Sequence, residues 1–437
     1  MLISLTLLYP SKPTGSQRRP HVLGPLPRGT AQEQADVNSI FGKSGEAAYT
    51  RLLNSPTPKH ASIGNPREIC NEGQYIKMTI RDSIETIKAQ VHLTRAEARE
   101  VMQLLLSGSV PDGEIMAFLA ALRDKGEQAE ELCGFAEVMR AHAAETLRAR
   151  GVEIASIAPP LLDTCGTGGD ERGTFNVSTA AALVAAAAGV RVAKHGNRSV
   201  SSRCGSADVL EALGVALDLP LDRIPQCLEE TGIIFLLAPR LHLAMKHVMN
   251  ARRSLKTKSV FNLLGPLTNP LRATIQLVGV FDAARTEMMA ETLRAVGTQQ
   301  AYVVAGSDGM DEITTTGPTR LSSASCQGVQ TRDVLPEEFG LPRASLDQLQ
   351  GGDATTNAHL LLKVLEGERS PYRDLVLANA GAAFALAGIA PNFAEGAARA
   401  AETLDSGAAR AKLQALVEFT QRFKSSEQCT VYSDKRT

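Results

Sequence analysis

Residues 163 to 179 read DTCGTGGDERGTFNVST, and this stretch decides the fold class. The letters LLDTCG predict a buried strand, and the alanine-rich run from Ser178 to Gly189 predicts a helix. A glycine-rich turn between a strand and a helix lets backbone N–H groups approach and bind a phosphate. A tight turn with positive φ would account for one glycine. Four glycines within eight positions, beside Asp170 and Thr174, favour an anion-binding loop.

Two common phosphate-binding motifs do not fit this loop. No Gly-Lys-Ser/Thr closes it, as a P-loop requires, and GTGGDE lacks the G-x-G-x-x-G of dinucleotide-binding folds. The loop is therefore expected to bind a phosphate in another way.

Predicted strands and helices alternate from about residue 158. The further strands are VRVAKHG, GIIFLLAP, IQLVGVF and AYVVAGS, with helices such as SADVLEALG and TEMMAETLRAVG between them. Alternation of this kind is typical of a parallel sheet covered by helices. We expect residues 151–437 to form an α/β domain with a mainly parallel central sheet.

Residues 78–150 show helical periodicity instead. Thr94 and Glu97 form a capping box ahead of an apolar helical pattern, and Gly126 stands where a helix is expected to end. These patterns predict a small N-terminal helical domain. A helical segment at about residues 240–256 is expected to pack against it.

Residues 1–77 differ from the rest of the chain. They carry Pro, Gly, Ser and Arg without sustained periodicity, and the first acidic residue is Glu33. We expect a disordered or non-native extension, with Met78 as the natural start. The alternatives are a transit peptide, which would target the protein to a plastid, and a genuine flexible extension.

The bulk composition excludes several functional classes. A formal net charge of −1 over 437 residues provides no general attraction to nucleic acid or membranes. The chain has no Trp, and its longest apolar run, residues 180–190, is too short to span a bilayer. Its seven cysteines include no CxxC pair and are expected to be the reduced thiols of a cytosolic protein.

A second polar loop, KHGNRSVSSRCGSAD, covers residues 194 to 208 and follows a predicted strand. Its cationic groups, hydroxyls and backbone amides are suited to binding phosphate oxygens. The alternative is a solvated loop with a few basic residues. Because two such loops each follow a strand, we expect one crevice at the carboxyl edge of the sheet.

The stretch AGSDGMDEI, residues 305 to 313, brings three carboxylates together after another predicted strand. Asp311 and Glu312 are adjacent and repel each other unless a cation lies between them or they face water. A lone pair of this kind is usually solvated surface. Beside two phosphate loops, it favours Mg²⁺, which bridges carboxylates to substrate phosphates.

Basic residues also run through MKHVMNARRSLKTKS, residues 245 to 259, on a predicted long helix. A solvated helix face is the simpler explanation. Spacing alone does not choose between Arg252 and Arg253 as a ligand-binding residue.

With these residues in view, the sequence closely resembles the anthranilate phosphoribosyltransferase family. GTGGD, NVST, KHGNRSVSS, GSADVLEALG, FNLLGPLTNP and DGMDE occur in the family's order, and the resemblance covers Met78 to the C-terminal region. It implies a cytoplasmic homodimer with a helical and an α/β domain. The implied reaction is attack by the amine of anthranilate on C1 of phosphoribosyl pyrophosphate, with Mg²⁺ as cofactor and pyrophosphate leaving, in tryptophan biosynthesis.

The resemblance also assigns site residues by motif. The implied phosphoribosyl pyrophosphate contacts are Gly166, Gly169, Asp170, Thr174, Asn176, Val177, Ser178, Thr179, Lys194, His195, Gly196, Asn197, Arg198, Ser199, Val200, Ser201, Ser202 and Ser206. The implied magnesium ligands are Ser178, Asp311 and Glu312, and the implied anthranilate contacts are Gly166, Asn197 and Arg252.

Two departures from the family pattern lie near the expected anthranilate entrance. Leu243 stands where the family commonly has Pro, and KTKS at 256 to 259 replaces a GIRT-like turn. No covalent nucleophile is expected, and His195 is a candidate proton acceptor. The alternative functions are a pyrimidine-nucleoside phosphorylase and a non-enzymatic nucleic-acid-binding relative. The latter conflicts with the net charge and the intact motifs.

Overall fold

The computed structural model describes residues 78–168, 172–199 and 203–424. The expectation for residues 1–77 falls outside these ranges. Among the described residues, no helix combines the length and apolar character needed to cross a membrane.

Four helices form the first part of the described chain. They are α1 (Ile80–Lys88), α2 (Arg95–Ser107), α3 (Asp112–Lys125) and α4 (Ala129–Arg148). The predicted capping box of Thr94 and Glu97 begins α2, and Gly126 ends α3. Between α3 and α4, the buried Lys125 ammonium lies 2.9 Å from the Glu131 carboxylate. The other oxygen of Glu131 accepts from the Leu93 N–H, so both oxygens of this buried carboxylate have a partner.

Within the described ranges, seven strands form one sheet next to this bundle. They are β1 (Leu162–Gly166), β2 (Val192–Gly196), β3 (Ile233–Leu237), β4 (Ile275–Gly279), β5 (Gln300–Gly306), β6 (Thr319–Ser325) and β7 (Gly328–Val334). Their order is β3-β2-β1-β4-β5-β6-β7. The strands β1 to β5 pair in parallel, which confirms the predicted fold class, whereas β6 and β7 add an antiparallel hairpin at one edge.

Helices cover both faces of the sheet. The remaining ones are α5 (Val177–Ala187), α6 (Ser206–Ala212), α7 (Ile224–Thr231), α8 (Ala238–Leu241), α9 (Met249–Leu255), α10 (Val260–Leu267), α11 (Thr286–Ala295), α12 (Ala354–Leu365), α13 (Pro371–Leu386), α14 (Phe393–Asp405) and α15 (Ala408–Arg422). Two neighbouring residues of β4 show that different helices cover the two faces, because successive side chains of a strand point to opposite faces. Leu277 belongs to the apolar cluster that includes α5 and α13, while Val278 belongs to the one that includes the helical bundle and α10.

The prediction of one long helix through HLAMKHVMNARRSL, residues 242–255, is wrong. This part of the chain is divided into α8, a 3-10 turn at Leu243–His247, and α9. Lys256 then ends α9 in the left-handed region, at φ 53°. The basic residues of this segment therefore lie on separate short elements, and α9 packs against α3.

Candidate active site

The predicted loops meet where the strand order reverses. From β1 the chain adds β2 and β3 on one side, then returns to add β4 on the other. The carboxyl ends of β1 and β4 are in register, with Gly166 opposite Gly279. In open α/β sheets, ligands bind in the crevice at such a reversal. The glycine loop follows β1, and the DGMDE stretch follows β5 on the same edge.

Asp311 lies directly over the paired glycines. A Cβ atom at Gly166 would overlap the Asp311 carboxylate, and one at Gly279 would overlap the Asp311 carbonyl oxygen. The Gly168 N–H donates to Asp311 Oδ2 at 2.9 Å. Glycine is required at both strand ends because the acidic turn occupies the space that a side chain would need.

Glu312 approaches the start of α5. The Ser178 N–H donates to Glu312 Oε1 at 3.2 Å, so one carboxylate oxygen is held beside the Ser178 residue. Asp308 differs from its two neighbours, because its Oδ2 accepts from Thr314 and Thr316 at 2.6 and 2.7 Å. Of the three clustered carboxylates, Asp308 organises the turn, and Asp311 and Glu312 face the glycine loop.

These oxygen atoms fit a magnesium ion. Among the described residues, no three His, Cys, Asp or Glu side chains form a metal-binding group. Mg²⁺ commonly needs only one or two carboxylates, with substrate phosphates and water completing the shell. The carboxylates of Asp311 and Glu312, each oriented by a backbone N–H group, satisfy that requirement together with the nearby Ser178 hydroxyl.

Lys194 belongs to β2 itself and is only 2 % exposed. Its ammonium donates to the Thr164 carbonyl oxygen and, at 3.2 Å, to Ser178 Oγ. Burial lowers the pKa of Lys194. Lys194 thus lies in the strand expected from VRVAKHG, which argues against the alternative of a solvated loop, and its ammonium is buried beside Ser178.

Asp163 is a buried carboxylate that the sequence reasoning missed. It accepts from the His195 N–H at 3.1 Å and from Asn269 Nδ2 at 2.8 Å, and Asn269 also donates to Ala193 O. These bonds tie β1, β2 and the end of α10 together. Burial raises the pKa of Asp163 to about 6. The sequence signal that could have revealed it is an acidic residue, Asp163, inside the otherwise largely apolar strand LLDTCG.

His195 is also buried in β2. Its Nδ1 lies 3.1 Å from the Gly265 carbonyl oxygen, to which the ring donates as the Nδ1–H tautomer. Its Nε2 has no hydrogen-bond partner among the described residues, and its ring centroid lies 5.2 Å from that of His242. Burial lowers the pKa of His195 to about 3 and that of His242 to about 4, so both rings are neutral near pH 7.

These shifts predict acid sensitivity. Between about pH 6 and pH 4, the unfolded chain protonates both His195 and His242, whereas the folded chain protonates Asp163. Unfolding then takes up about one net proton, so the free energy of unfolding falls by roughly 1.4 kcal/mol per pH unit as pH decreases. Urea denaturation from pH 7 to pH 4 measures the slope. His242→Asn should reduce it, and an unchanged slope would contradict this account.

The second predicted loop is held by its own charges. The Arg198 guanidinium binds the carboxylates of Asp208 and Glu211 at 3.1 and 2.7 Å. Asp208 Oδ2 also accepts from the Ser199 and Gly205 N–H groups, both at 2.9 Å. Two carboxylates therefore balance the charge of Arg198, and these ion pairs shape the loop.

Other predicted residues lie around the same crevice. Asn176 donates to Cys204 O at 3.3 Å and accepts from Asn357 at 3.1 Å, while Thr174 pairs with Gln350. Asn357 and Gln350 were missed because they come from the distant C-terminal part of the chain. Val177 and Thr179 are buried in α5, Gly196 ends β2, and the Ser206 hydroxyl donates to Asn197 O. Five predicted contacts fall outside the described residues: Gly169, Asp170, Val200, Ser201 and Ser202.

Arg252 comes from α9, on the side of the helical bundle. Its guanidinium carbon lies 5.8 Å from the centre of the Phe261 ring, and burial lowers its pKa. Within the described ranges, no hydrogen bond or ion pair engages its side chain, whereas Arg253 is exposed. Gly166 and Asn197 lie at the ends of β1 and β2, so the three predicted anthranilate contacts come from different parts of the fold.

The two departures from the family pattern lie near α9. Leu243 is 54 % exposed in the preceding 3-10 turn. Thr257 accepts from Arg123 Nη1 of α3 at 2.8 Å, and Lys258 Nζ lies 3.9 Å from the Phe281 ring centre. The KTKS turn therefore links the bundle to the segment that follows β4.

Comparison with protein families gives two matches. Residues 81–143 match the helical bundle domain of the glycosyl transferase family, and residues 158–410 match its a/b domain. Among curated proteins, the anthranilate phosphoribosyltransferase of Moorella thermoacetica is 49 % identical over 342 residues, which are 78 % of this chain and 98 % of that protein. The enzyme of the same name from Solibacter usitatus is 48 % identical over 342 residues, with 78 % and 99 % covered.

Solved structures give the same result. The anthranilate phosphoribosyltransferase of Thermus thermophilus superimposes with a TM-score of 0.70 at 42 % identity, covering 78 % of this chain and 99 % of that one. The Saccharomyces cerevisiae enzyme in complex with PRPP and Mg has a TM-score of 0.70 at 26 % identity, with 78 % and 98 % covered. A further structure of that yeast enzyme, with 4-fluoroanthranilate, gives 0.69 at 26 % identity, with 79 % and 99 % covered.

Proposed function

The chain belongs to the anthranilate phosphoribosyltransferase family, and from this membership we propose how its residues bind the two substrates and Mg²⁺. The enzyme transfers the phosphoribosyl group of phosphoribosyl pyrophosphate to the amine of anthranilate, giving N-(5-phosphoribosyl)anthranilate and pyrophosphate in tryptophan biosynthesis. The main observation in support of the proposed site is the close packing of Asp311 against Gly166 and Gly279, beside the start of α5.

Phosphoribosyl pyrophosphate binds along the carboxyl edge of β1 and β2. The glycine loop would present backbone N–H groups, and the positive amino end of α5 favours a phosphate in that position. The loop after β2 contributes amides and hydroxyls, with Arg198 holding its shape. The proposed contacts are Gly166, Gly169, Asp170, Thr174, the run 176–179, the run 194–202 and Ser206.

Mg²⁺ would be held by Asp311, Glu312 and the Ser178 hydroxyl, between the acidic turn and the glycine loop. When bound, it supplies Lewis-acid stabilisation of the negative charge that develops on pyrophosphate. The neighbouring Lys194 ammonium, 3.2 Å from Ser178 Oγ, adds a second positive charge to this corner.

Displacement at the anomeric carbon passes through an oxocarbenium-like state, so stabilisation of the leaving pyrophosphate lowers the barrier. Backbone N–H groups of the glycine loop would contribute to it as preorganised donors. The amine of anthranilate is neutral and needs orientation more than a strong base. No covalent intermediate is required. Burial lowers the pKa of His195 to about 3, so its unprotonated Nε2 is a weak base, which disfavours it as the proton acceptor.

Arg252 would bind the carboxylate of anthranilate. Its guanidinium is partly buried and matches a carboxylate in a bidentate geometry. Gly166 and Asn197 would contact the other side of the ring, where C1 of the ribose is presented. Anthranilate therefore binds between the helical bundle and the α/β part of the chain.

Arg252→Ala is expected to raise the apparent KM for anthranilate about 10–100-fold, because a charge-assisted pair is lost. The KM for phosphoribosyl pyrophosphate should change little. Steady-state kinetics with each substrate varied in turn measures both values. Arg253→Ala, at the exposed neighbouring position, is the matched control. Equal increases in both KM values would contradict the assigned role.

We also propose a domain division, a location and an oligomeric state for the whole protein. Residues 78–150 would form the helical domain and residues 151–437 the α/β domain of a cytoplasmic homodimer. Light scattering after size-exclusion chromatography tests the oligomeric state. A single monomeric mass would contradict the dimer.

The reaction is tested by the loss of anthranilate fluorescence on addition of phosphoribosyl pyrophosphate to the full chain. The expected loss requires the donor and Mg²⁺, and EDTA stops it. If the fluorescence still decreases in EDTA, the metal assignment is contradicted but the reaction is not. Without any loss, phosphorolysis of thymidine and uridine would be tested, since activity there would identify a nucleoside phosphorylase.

A further inference from the structure

A groove of about 370 Å³ lies at the amino ends of β1 and β4. Leu161 and Thr274, which immediately precede these strands, line it together with the end of α4 and the linker that follows α4. The proposed active site lies at the carboxyl ends of the same strands, so the two sites occupy opposite edges of the sheet. Small-molecule sites commonly measure about 300–1,000 Å³.

The walls of the groove are largely apolar. Val152, Ile157, Leu161 and Leu271 are buried and contribute to its lining. Pro159 forms another part of the wall. A surface of this kind suits the body of an apolar ligand, with a few polar groups left to fix its orientation.

Two arginines also line the groove. Arg148 has a carboxylate nearby, since its Nε lies 3.9 Å from Glu153. Arg272 is exposed, and no carboxylate within the described ranges forms an ion pair with it. The groove therefore contains more positive than negative charge at one end.

The backbone at Arg272 is unusual. Its φ is 54°, in the left-handed region that glycine adopts without steric cost. A residue held there is strained, and such strain is often found at functional sites. The fold presents a guanidinium at a position where glycine would be more stable.

A third arginine, Arg140, is close enough to Arg272 for their charges to interact. Arg140 is 7 % exposed and donates to the carbonyl oxygens of Leu267 and Val296, but its Nη2 has no partner among the described residues. Burial lowers the pKa of Arg140 to about 10, and the charge of Arg272 acts in the same direction. An anion at this end of the groove would offset the repulsion between the two guanidinium groups.

We propose that the groove binds a small organic monoanion, with its carboxylate on Arg272 and its apolar body against Val152, Ile157 and Leu271. The positive charge of Arg272 determines where the carboxylate binds, and the apolar lining determines where the body of the ligand lies. This site is separate from the binding of anthranilate and does not depend on the proposed roles of Asp311, Glu312 or Arg252.

The test uses 1-naphthoate as the probe and isothermal titration calorimetry as the measurement. The full chain with Arg252→Ala serves as the background, so that binding at the proposed anthranilate site is weakened. Binding is expected there, and adding Arg272→Gly should weaken it about tenfold, since one charge-assisted contact is lost. The neutral 1-naphthamide should also bind about tenfold more weakly.

Thermal denaturation distinguishes a loss of binding caused by unfolding from one caused by removal of the Arg272 side chain. Arg272→Gly relieves a left-handed side chain and should not lower the melting temperature. Lys256→Gly makes the same kind of change at another left-handed basic residue and should leave naphthoate binding unchanged. The proposal is overturned if naphthoate does not bind in the Arg252→Ala background, if Arg272→Gly binds it equally well, or if the amide binds as tightly.

Discussion

Asp311→Asn is expected to lower kcat/KM for phosphoribosyl pyrophosphate by about 10²–10³-fold, the loss typical of removing one preorganised electrostatic contact. The substitution keeps the shape of the side chain, so its place over Gly166 and Gly279 is preserved. It removes the negative charge proposed to hold Mg²⁺, and Glu312→Gln should act in the same direction. The measurement is initial rate against Mg²⁺ concentration, where the variant should need more metal.

Asp308→Asn is the matched control for this prediction. Asp308 lies in the same turn, but its carboxylate accepts from Thr314 and Thr316, and no hydrogen bond joins it to the described residues of the glycine loop. We expect a lower melting temperature and an unchanged Mg²⁺ dependence. If Asp311→Asn and Asp308→Asn shifted the Mg²⁺ dependence equally, the metal would not be held by Asp311.

Gly279→Ala is expected to remove activity and to lower the free energy of unfolding by about 3 kcal/mol, the upper end for overpacking. Its new methyl group would occupy the position of the Asp311 carbonyl oxygen. Because that atom belongs to backbone, the whole acidic turn must move away from β1 and β4. Kinetics and urea denaturation together measure the two effects.

The matched control for Gly279→Ala is Gly113→Ala in α3. A Cβ atom there would contact nothing within 4 Å, and the residue lies in a helix. Alanine should therefore be neutral or stabilising by up to about 1 kcal/mol. A folded and active Gly279→Ala enzyme would disprove the steric account of the crevice.

Local patterns were sufficient to predict much of the fold. The glycine loop separates β1 from α5, and the capping box at Thr94 begins α2, because both depend on residues close in sequence. The hairpin of β6 and β7 was missed since its strands, TRLSSAS and GVQTRDV, carry few apolar residues and lie at the sheet edge. The single long helix was wrong because helical spacing does not reveal where short turns interrupt it.

The site was predictable from its motifs, but its internal bonds were not. Burial of Lys194 and the pairing of Arg198 with Glu211 depend on which segments meet in space. The same reason hides Asp163 and its partner Asn269, which are 106 residues apart. A motif gives the types of residue in a site, whereas the protonation and orientation of each side chain come from contacts across the fold.

The position of β4 beside β1 has a consequence for the order of folding. Gly168 and Asp311, which meet across this junction, are separated by 143 residues, whereas the first helices contact near neighbours in sequence. Closing so long a loop costs entropy before the contact is gained, and non-local pairing slows folding. The helical bundle can therefore acquire its secondary structure early during refolding, while catalytic competence returns only in the last and slowest kinetic phase.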